Sequence, residues 1–205
     1  MKLVKSIIIF SLVLSSSLSL LSQESLDFHF KKIQVNDGLS ENAIYCIFQD
    51  SRGGFMWFGT KDGLNRYDGN NFRIFRFDAK NPASLGNNFI RCLIEGEGGD
   101  LYIGTDAGLY IMNTVEETFI KVIGTTTAVN TLYADQDGNI WIGSIDQGVF
   151  RYNPESKELE QMELSKYNLD TNSSWVIYGD LSGTIWSVTA WDYSDIIKTQ
   201  INSIR

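Results

Sequence analysis

Phe55-Met56-Trp57-Phe58-Gly59-Thr60-Lys61-Asp62-Gly63-Leu64 decides the fold, because the chain writes this stretch again and again. It returns as Asp100-Leu101-Tyr102-Ile103-Gly104-Thr105-Asp106-Ala107-Gly108-Leu109 and as Asn139-Ile140-Trp141-Ile142-Gly143-Ser144-Ile145-Asp146-Gln147-Gly148-Val149. A degraded fourth copy is Gly183-Thr184-Ile185-Trp186-Ser187-Val188. The marker aromatics stand 45 residues apart from Trp57 to Tyr102, 39 from Tyr102 to Trp141, and 45 from Trp141 to Trp186. A period of about 40–45 residues fits a four-stranded propeller blade, and it also fits a HEAT or armadillo helix pair. Composition separates the two. Each copy is rich in β-branched and aromatic residues and is broken by turn pairs such as Gly53-Gly54, Asp62-Gly63, Asp68-Gly69, Gly98-Gly99, Asp137-Gly138 and Ser182-Gly183. Glycine at that frequency suits tight hairpins and would weaken helices. The expected fold is all-β, with propeller blades of four antiparallel strands. About four blades are present, with repeats near 42–68, 88–112, 129–153 and 174–188.

One blade reads in detail. Ala43 to Gln49 is a nearly continuous apolar run, as for an inner strand buried on both faces. Phe55 to Thr60 returns as the second strand, and Asp62-Gly63 turns the chain into Leu64-Asn65-Arg66-Tyr67. Phe72 to Phe77 alternates apolar and basic residues, which suits an outer strand with one solvated face. Only Ser156 to Ser165 reads as a possible helical turn or two, without an apolar stripe. Trp57, Gly59 and Gly63, Tyr102, Gly104 and Gly108, Trp141, Gly143 and Gly148, and Trp186 are the structural residues of the repeat. Recurrence at one strand position assigns these aromatics to packing between blades rather than to sugar stacking.

The patterns Ile44 to Asp50, Trp57-Phe58-Gly59-Thr60, Gly63-Leu64-Asn65-Arg66-Tyr67-Asp68 and Ser84-Leu85-Gly86-Asn87-Asn88 resemble the two-component regulator propeller repeat. The resemblance covers roughly residues 38 to 188. It is strong in three repeats and weak in the fourth, where Val188 takes the place of the repeat glycine. That repeat builds the periplasmic sensor region of hybrid histidine kinases in Bacteroidetes. The resemblance implies a non-catalytic, ligand-sensing propeller that detects a glycan or oligosaccharide, with a homodimer in the full-length relative and the kinase on domains outside this sequence. A stand-alone carbohydrate- or protein-binding propeller is the alternative, and a propeller glycoside hydrolase or lyase ranks below it. From Phe28 to Arg205 there is room for about four blades, and Phe28 to Val35 reads as a strand that would complete the last blade of a ring. Either four blades close into an unusually small ring, or the ring is incomplete and its remaining blades are missing here. The second reading is favoured.

The leading residues are of another kind. Lys2 and Lys5 precede an apolar stretch from Ile7 to Leu21, and small polar residues follow at Ser22-Gln23. This is the pattern of a secretory signal peptide over 1–22, leaving 23–205 as a partial β-propeller in the periplasm. A membrane anchor is the rival, but serines at 11, 15, 16, 17 and 19 dilute the apolar run. The whole chain has formal charge −8. Removing 1–22 takes two of the 17 basic residues and none of the 25 acidic ones, which leaves −10. That balance argues against nucleic acid as a partner. Cys46 and Cys92 occupy equivalent places in successive repeats and read as buried free thiols, because neighbouring blades stand about 10 Å apart.

Catalytic chemistry is sought and not found. The one histidine, His29, lies between Phe28 and Phe30 on an alternating stretch and reads as structural. No cluster of His, Cys and carboxylates has zinc-site spacing, and no cofactor is expected. Asp135-Gln136-Asp137-Gly138 fails as an EF-hand loop, since Tyr133 and Ser144 would hold its end positions. An Asp-box of the form Asp-x-Gly-x-x-Trp fails too, because Arg52, Gln136 and Leu181 stand where its aspartate belongs. Asn42, Asn88 and Asn130 each precede or begin an inner strand. They are the candidate ligand-binding residues at one mouth of the ring, with turn capping as the alternative.

Overall fold

The computed structural model describes residues 30–163, 173–189 and 197–201. The chain divides into Met1–Lys32 and Ile33–Arg205, and the fold belongs to the second unit. The expected signal peptide and His29 lie outside the described residues.

Four successive antiparallel sheets form from consecutive hairpins. The first joins β1 (Cys46–Gln49), β2 (Met56–Thr60), β3 (Gly63–Tyr67) and β4 (Phe72–Phe75) in sequence order. The second repeats this with β5 (Ile90–Glu95), β6 (Leu101–Thr105), β7 (Gly108–Asn113) and β8 (Thr118–Lys121). The third does so with β9 (Val129–Ala134), β10 (Ile140–Ser144), β11 (Val149–Asn153) and β12 (Glu158–Gln161). The fourth contains β13 (Val176–Gly179), β14 (Ile185–Thr189) and β15 (Ile197–Ile201). This is the meander of propeller blades. Inner strands pack in order, β1 on β5, β5 on β9 and β9 on β13, and among the described residues β1 and β13 share no comparable packing.

Three cores cement neighbouring sheets. Trp57 and Phe75 pack with Ile90, Leu101 and Ile103. Tyr102 and Leu109 pack with Val129, Ile140 and Ile142, and Trp141 and Val149 pack with Ile177 and Ile185. The repeat glycine permits this approach. A Cβ on Gly59 would stand 2.8 Å from Ile90, one on Gly104 2.8 Å from Val129, and one on Gly143 2.7 Å from Ser174. Every position thus lies where the next sheet presses against the backbone. Cys46 and Cys92 are free and sit across from Gly59 and Gly104. Burial pushes the Cys46 thiol up to about 12 and raises that of Cys92 further.

Three local expectations change. Phe30 to Gln34 forms no strand, and Val35–Asp37 is a 3-10 turn closed by Gly38 at φ 108°. The stretch read as a helical turn contains β12, because Phe150–Asn153 offers it a complete set of cross-strand partners, with Arg151 bonded to Glu160 at 2.7 Å. The inner strand is also not buried on both faces. In β1, Cys46 and Phe48 face the second sheet, while Ile47 and Gln49 are exposed.

Candidate functional site

The inner strands all start at the same rim of their sheets. Registering each against its repeat glycine shows which residues are equivalent. Cys46 pairs with Gly59, Cys92 with Gly104, Thr131 with Gly143, and Val176 with Val188. The residue just before each is Tyr45, Arg91, Asn130 and Trp175. Two of the four are singled out by the backbone. The register of β5 steps from Ile90 to Cys92 across one residue of β6, and that of β9 steps from Val129 to Thr131 across one residue of β10. Arg91 and Asn130 are therefore the extra residues of two bulges, a device that re-aims a side chain out of the ladder.

The re-aimed side chains meet. Arg91 Nη1 donates to Asn130 Oδ1 at 3.2 Å, and Asn130 Nδ2 donates to the Ser174 carbonyl at 3.4 Å. Arg91 Nε is bonded to the Asp106 carboxylate from the β6–β7 turn. On its other side the Arg91 guanidinium lies 4.6 Å from the Phe89 ring centroid. Phe89 makes an edge contact with Tyr45 at 4.7 Å. Lys61, from the β2–β3 turn, places its Nζ 5.4 Å from the Tyr45 ring and 5.2 Å from the Phe89 ring. A continuous row runs from Lys61 through Tyr45, Phe89 and Arg91 to Asn130. It is carried by three sheets and reaches the backbone that enters the fourth.

The row is open to solvent at Tyr45, which is 45% exposed, and Trp175, at the equivalent position of the fourth sheet, is 51% exposed. Its charges differ in state. Arg91 is already neutralised by Asp106, whereas no described carboxylate lies within ion-pairing distance of Lys61. The Tyr45 hydroxyl, followed by the carboxylates of Glu41 and Asp106, raises Lys61 above the ordinary lysine value and keeps it an ammonium.

Of the three asparagines singled out in the sequence, only Asn130 joins this row. Asn42 accepts a hydrogen bond from the Val35 N–H at 3.0 Å, and Asn88 accepts one from the Phe77 N–H at 2.7 Å. Both lie two residues before the strand position that Asn130 follows by one. Tyr45, Lys61, Arg91 and Trp175 were not legible as a set, although aligning inner strands on the repeat glycine would have collected three of them.

At the opposite ends of the sheets a second device repeats. The indole Nε1 groups of Trp57, Trp141 and Trp186 donate to Asp50, Asp135 and Asp180, each at 2.8 Å. These aspartates stand one or two residues earlier than an Asp-box places its own. The same carboxylates accept backbone N–H groups of the turn, for example Gly53 and Phe55 on Asp50. Hydrogen bonds from the Ser182 hydroxyl and the Trp186 indole bring Asp180 down to about 2. In the second sheet Tyr102 replaces the tryptophan, and Glu95 instead binds the Ser51 N–H and hydroxyl of the first sheet, both at 2.8 Å. A hollow of about 310 Å³ opens beside it, lined by Glu97, Asp100, Tyr102, Asp137, Asn153 and Glu155. Burial raises the Asp100 carboxyl there. Among the described residues no group of His, Cys, Asp and Glu is placed to hold a metal ion.

Comparison with known proteins places this architecture. The two component regulator propeller family matches residues 38–62 and 124–146. Histidine kinase P4 of Formosa agariphila is 38% identical over 82 residues, which are 40% of this chain and 6% of that protein. An extracellular domain from B. thetaiotaomicron, described as that of the hybrid two component system BT3049, shares the fold with a TM-score of 0.68. The two are 17% identical, and the match covers 89% of this chain and 24% of the other. A second extracellular domain from B. thetaiotaomicron, that of the one component system BT4673, has a TM-score of 0.65 at 23% identity, over 80% of this chain and 22% of its own. The chain thus spans about a quarter or less of the length of each. By its matches over 38–62 and 124–146, the chain carries repeats similar to those of the two component regulator propeller family.

Proposed function

We propose that this chain serves as the ligand-sensing propeller of a two-component system, working in the periplasm after export through residues 1–22, and that its ligand is an oligosaccharide. The observation that carries the reading is the inner-strand rim, where the equivalent positions of the four sheets hold exposed aromatics, Tyr45 and Trp175, on either side of Arg91 and Asn130, with Lys61 beside Tyr45. Sugar rings present apolar C–H faces and hydroxyl edges, and such a surface complements both. Two features add support. Two of the solved propellers that share the fold are extracellular domains of signalling systems, and a relative over 82 residues is named a histidine kinase. Fold alone does not specify function, so the reading rests on the row.

The signal would leave through the geometry of a homodimer toward a kinase, and no catalytic role is assigned to this chain. Titration calorimetry of the full chain against a panel of neutral and acidic tetrasaccharides tests the reading. It predicts saturable binding of at least one member at micromolar to low-millimolar Kd. Absence of heat and of competition across the whole panel would overturn it.

A further inference from the structure

We propose that the ligand is an acidic saccharide and that Lys61 is the residue that reads its anionic group. The inference deepens the oligosaccharide reading and rests on it. The chain carries 25 acidic against 17 basic residues, so a cation placed on an exposed aromatic row stands out against its surface. Among the described residues, the arginines mostly have carboxylate partners: Arg66 and Arg73 meet Glu117, Arg76 meets Asp62, Arg91 meets Asp106, and Arg151 meets Glu160. Lys61 has none. It is nevertheless held in place, since its backbone N–H donates to Glu41 Oε2 at 3.0 Å and its ammonium stands over the Tyr45 and Phe89 rings.

A cation held over an exposed aromatic ring matches a sugar that stacks on that ring and carries a charged substituent. The pyranose C–H face would lie on Tyr45, and a carboxylate or sulfate would receive a charge-assisted hydrogen bond from Nζ. Glu41 and Asp106 flank the site, which favours one anionic group at Lys61 over a polyanionic run. The acid-lined hollow at the other end of the sheets repels the same ligand. Arg91 and Asn130, aimed along the row by their bulges, would meet the hydroxyls of the adjoining residue.

The test uses calorimetry of the full chain with tetragalacturonate, a sulfated galactotetraose and uncharged galactotetraose, with Lys61→Gln and Lys61→Arg variants checked for unchanged thermal unfolding. The expected result is that at least one acidic probe binds about tenfold more tightly than the uncharged one, as a charge-assisted contact predicts. Lys61→Gln removes that preference and Lys61→Arg keeps it. The two acidic arms separate a carboxylate from a sulfate as the recognised group. If the uncharged probe binds as well as both acidic ones, or if Lys61→Gln binds the acidic probe as tightly as the unaltered chain, the inference is wrong while oligosaccharide sensing stands. If no probe and no member of the wider panel binds, the sensing reading itself falls.

Discussion

Glu117 ties the first two sheets together, and its removal has a calculable effect. It lies in the β7–β8 turn at φ 56°, a left-handed conformation that only glycine adopts freely. From there its carboxylate reaches across to Arg66 Nη1 at 3.0 Å and to Arg73. Arg66 is the consequential partner. Its side chain is 19% exposed and its guanidinium lies 4.7 Å from the Phe55 ring, 5.8 Å from Trp57 and 5.9 Å from Phe75. Glu117→Ala leaves that charge without a counter-ion, at a cost of about 1.5–3 kcal/mol for the lost charged hydrogen bond. The more exposed Arg73 adds no more than about 0.5 kcal/mol. Glu117→Gly loses the same contacts but relieves the positive φ, which returns about 1 kcal/mol. Urea unfolding should therefore rank the unaltered chain above Glu117→Gly and Glu117→Gly above Glu117→Ala, with m unchanged. A cycle with Arg66→Met should give a coupling above about 1 kcal/mol. Equal stability of Glu117→Ala and the unaltered chain, or a coupling near zero, would refute the argument.

Two further outcomes follow from the packing and the turns. Gly104→Ala puts a Cβ against Cys92 Sγ and 2.8 Å from Val129, and should cost about 2 kcal/mol or more through overpacking. Gly98→Ala, where nothing lies within 4 Å, should stay within about 0.5 kcal/mol. The hydrogen bonds that bring Asp180 down to about 2 stabilise the folded chain above the ordinary aspartate value of 3.8, and this contribution is lost as pH falls from about 4 to 2. Asp180→Asn should flatten that part of the stability profile, and an unchanged profile would show that the Asp180 turn contributes nothing.

The hairpins were legible because they are encoded locally. Asp62-Gly63 and Asp137-Gly138 give turns with Gly63 at φ 112° and Gly138 at φ 80°, and the strands around Trp57 fall within a few residues of their expected ends. The candidate site was much less legible. Arg91 sits inside the apolar run Ile90-Arg91-Cys92-Leu93-Ile94, where alternation alone cannot announce a bulge, and its partner Asn130 lies 39 residues away. Lys61 resembles any polar turn residue until Phe89 of the next sheet is brought beneath it. The strand at Glu158–Gln161 was missed for the same reason, since pairing with β11 and not local propensity makes it. The Asp50–Trp57, Asp135–Trp141 and Asp180–Trp186 bonds escaped because their spacing is longer than the pattern sought.

The most direct test of the central claim is amide hydrogen exchange of the full chain with and without saturating tetragalacturonate. The account predicts ligand-dependent protection at residues 43–46, 60–63, 88–92 and 128–131, where the inner strands begin and their neighbouring turn lies. Protection confined to the aspartate–tryptophan turns at 50–57, 95–102 and 135–141 would place the ligand at the wrong end of the sheets and contradict it.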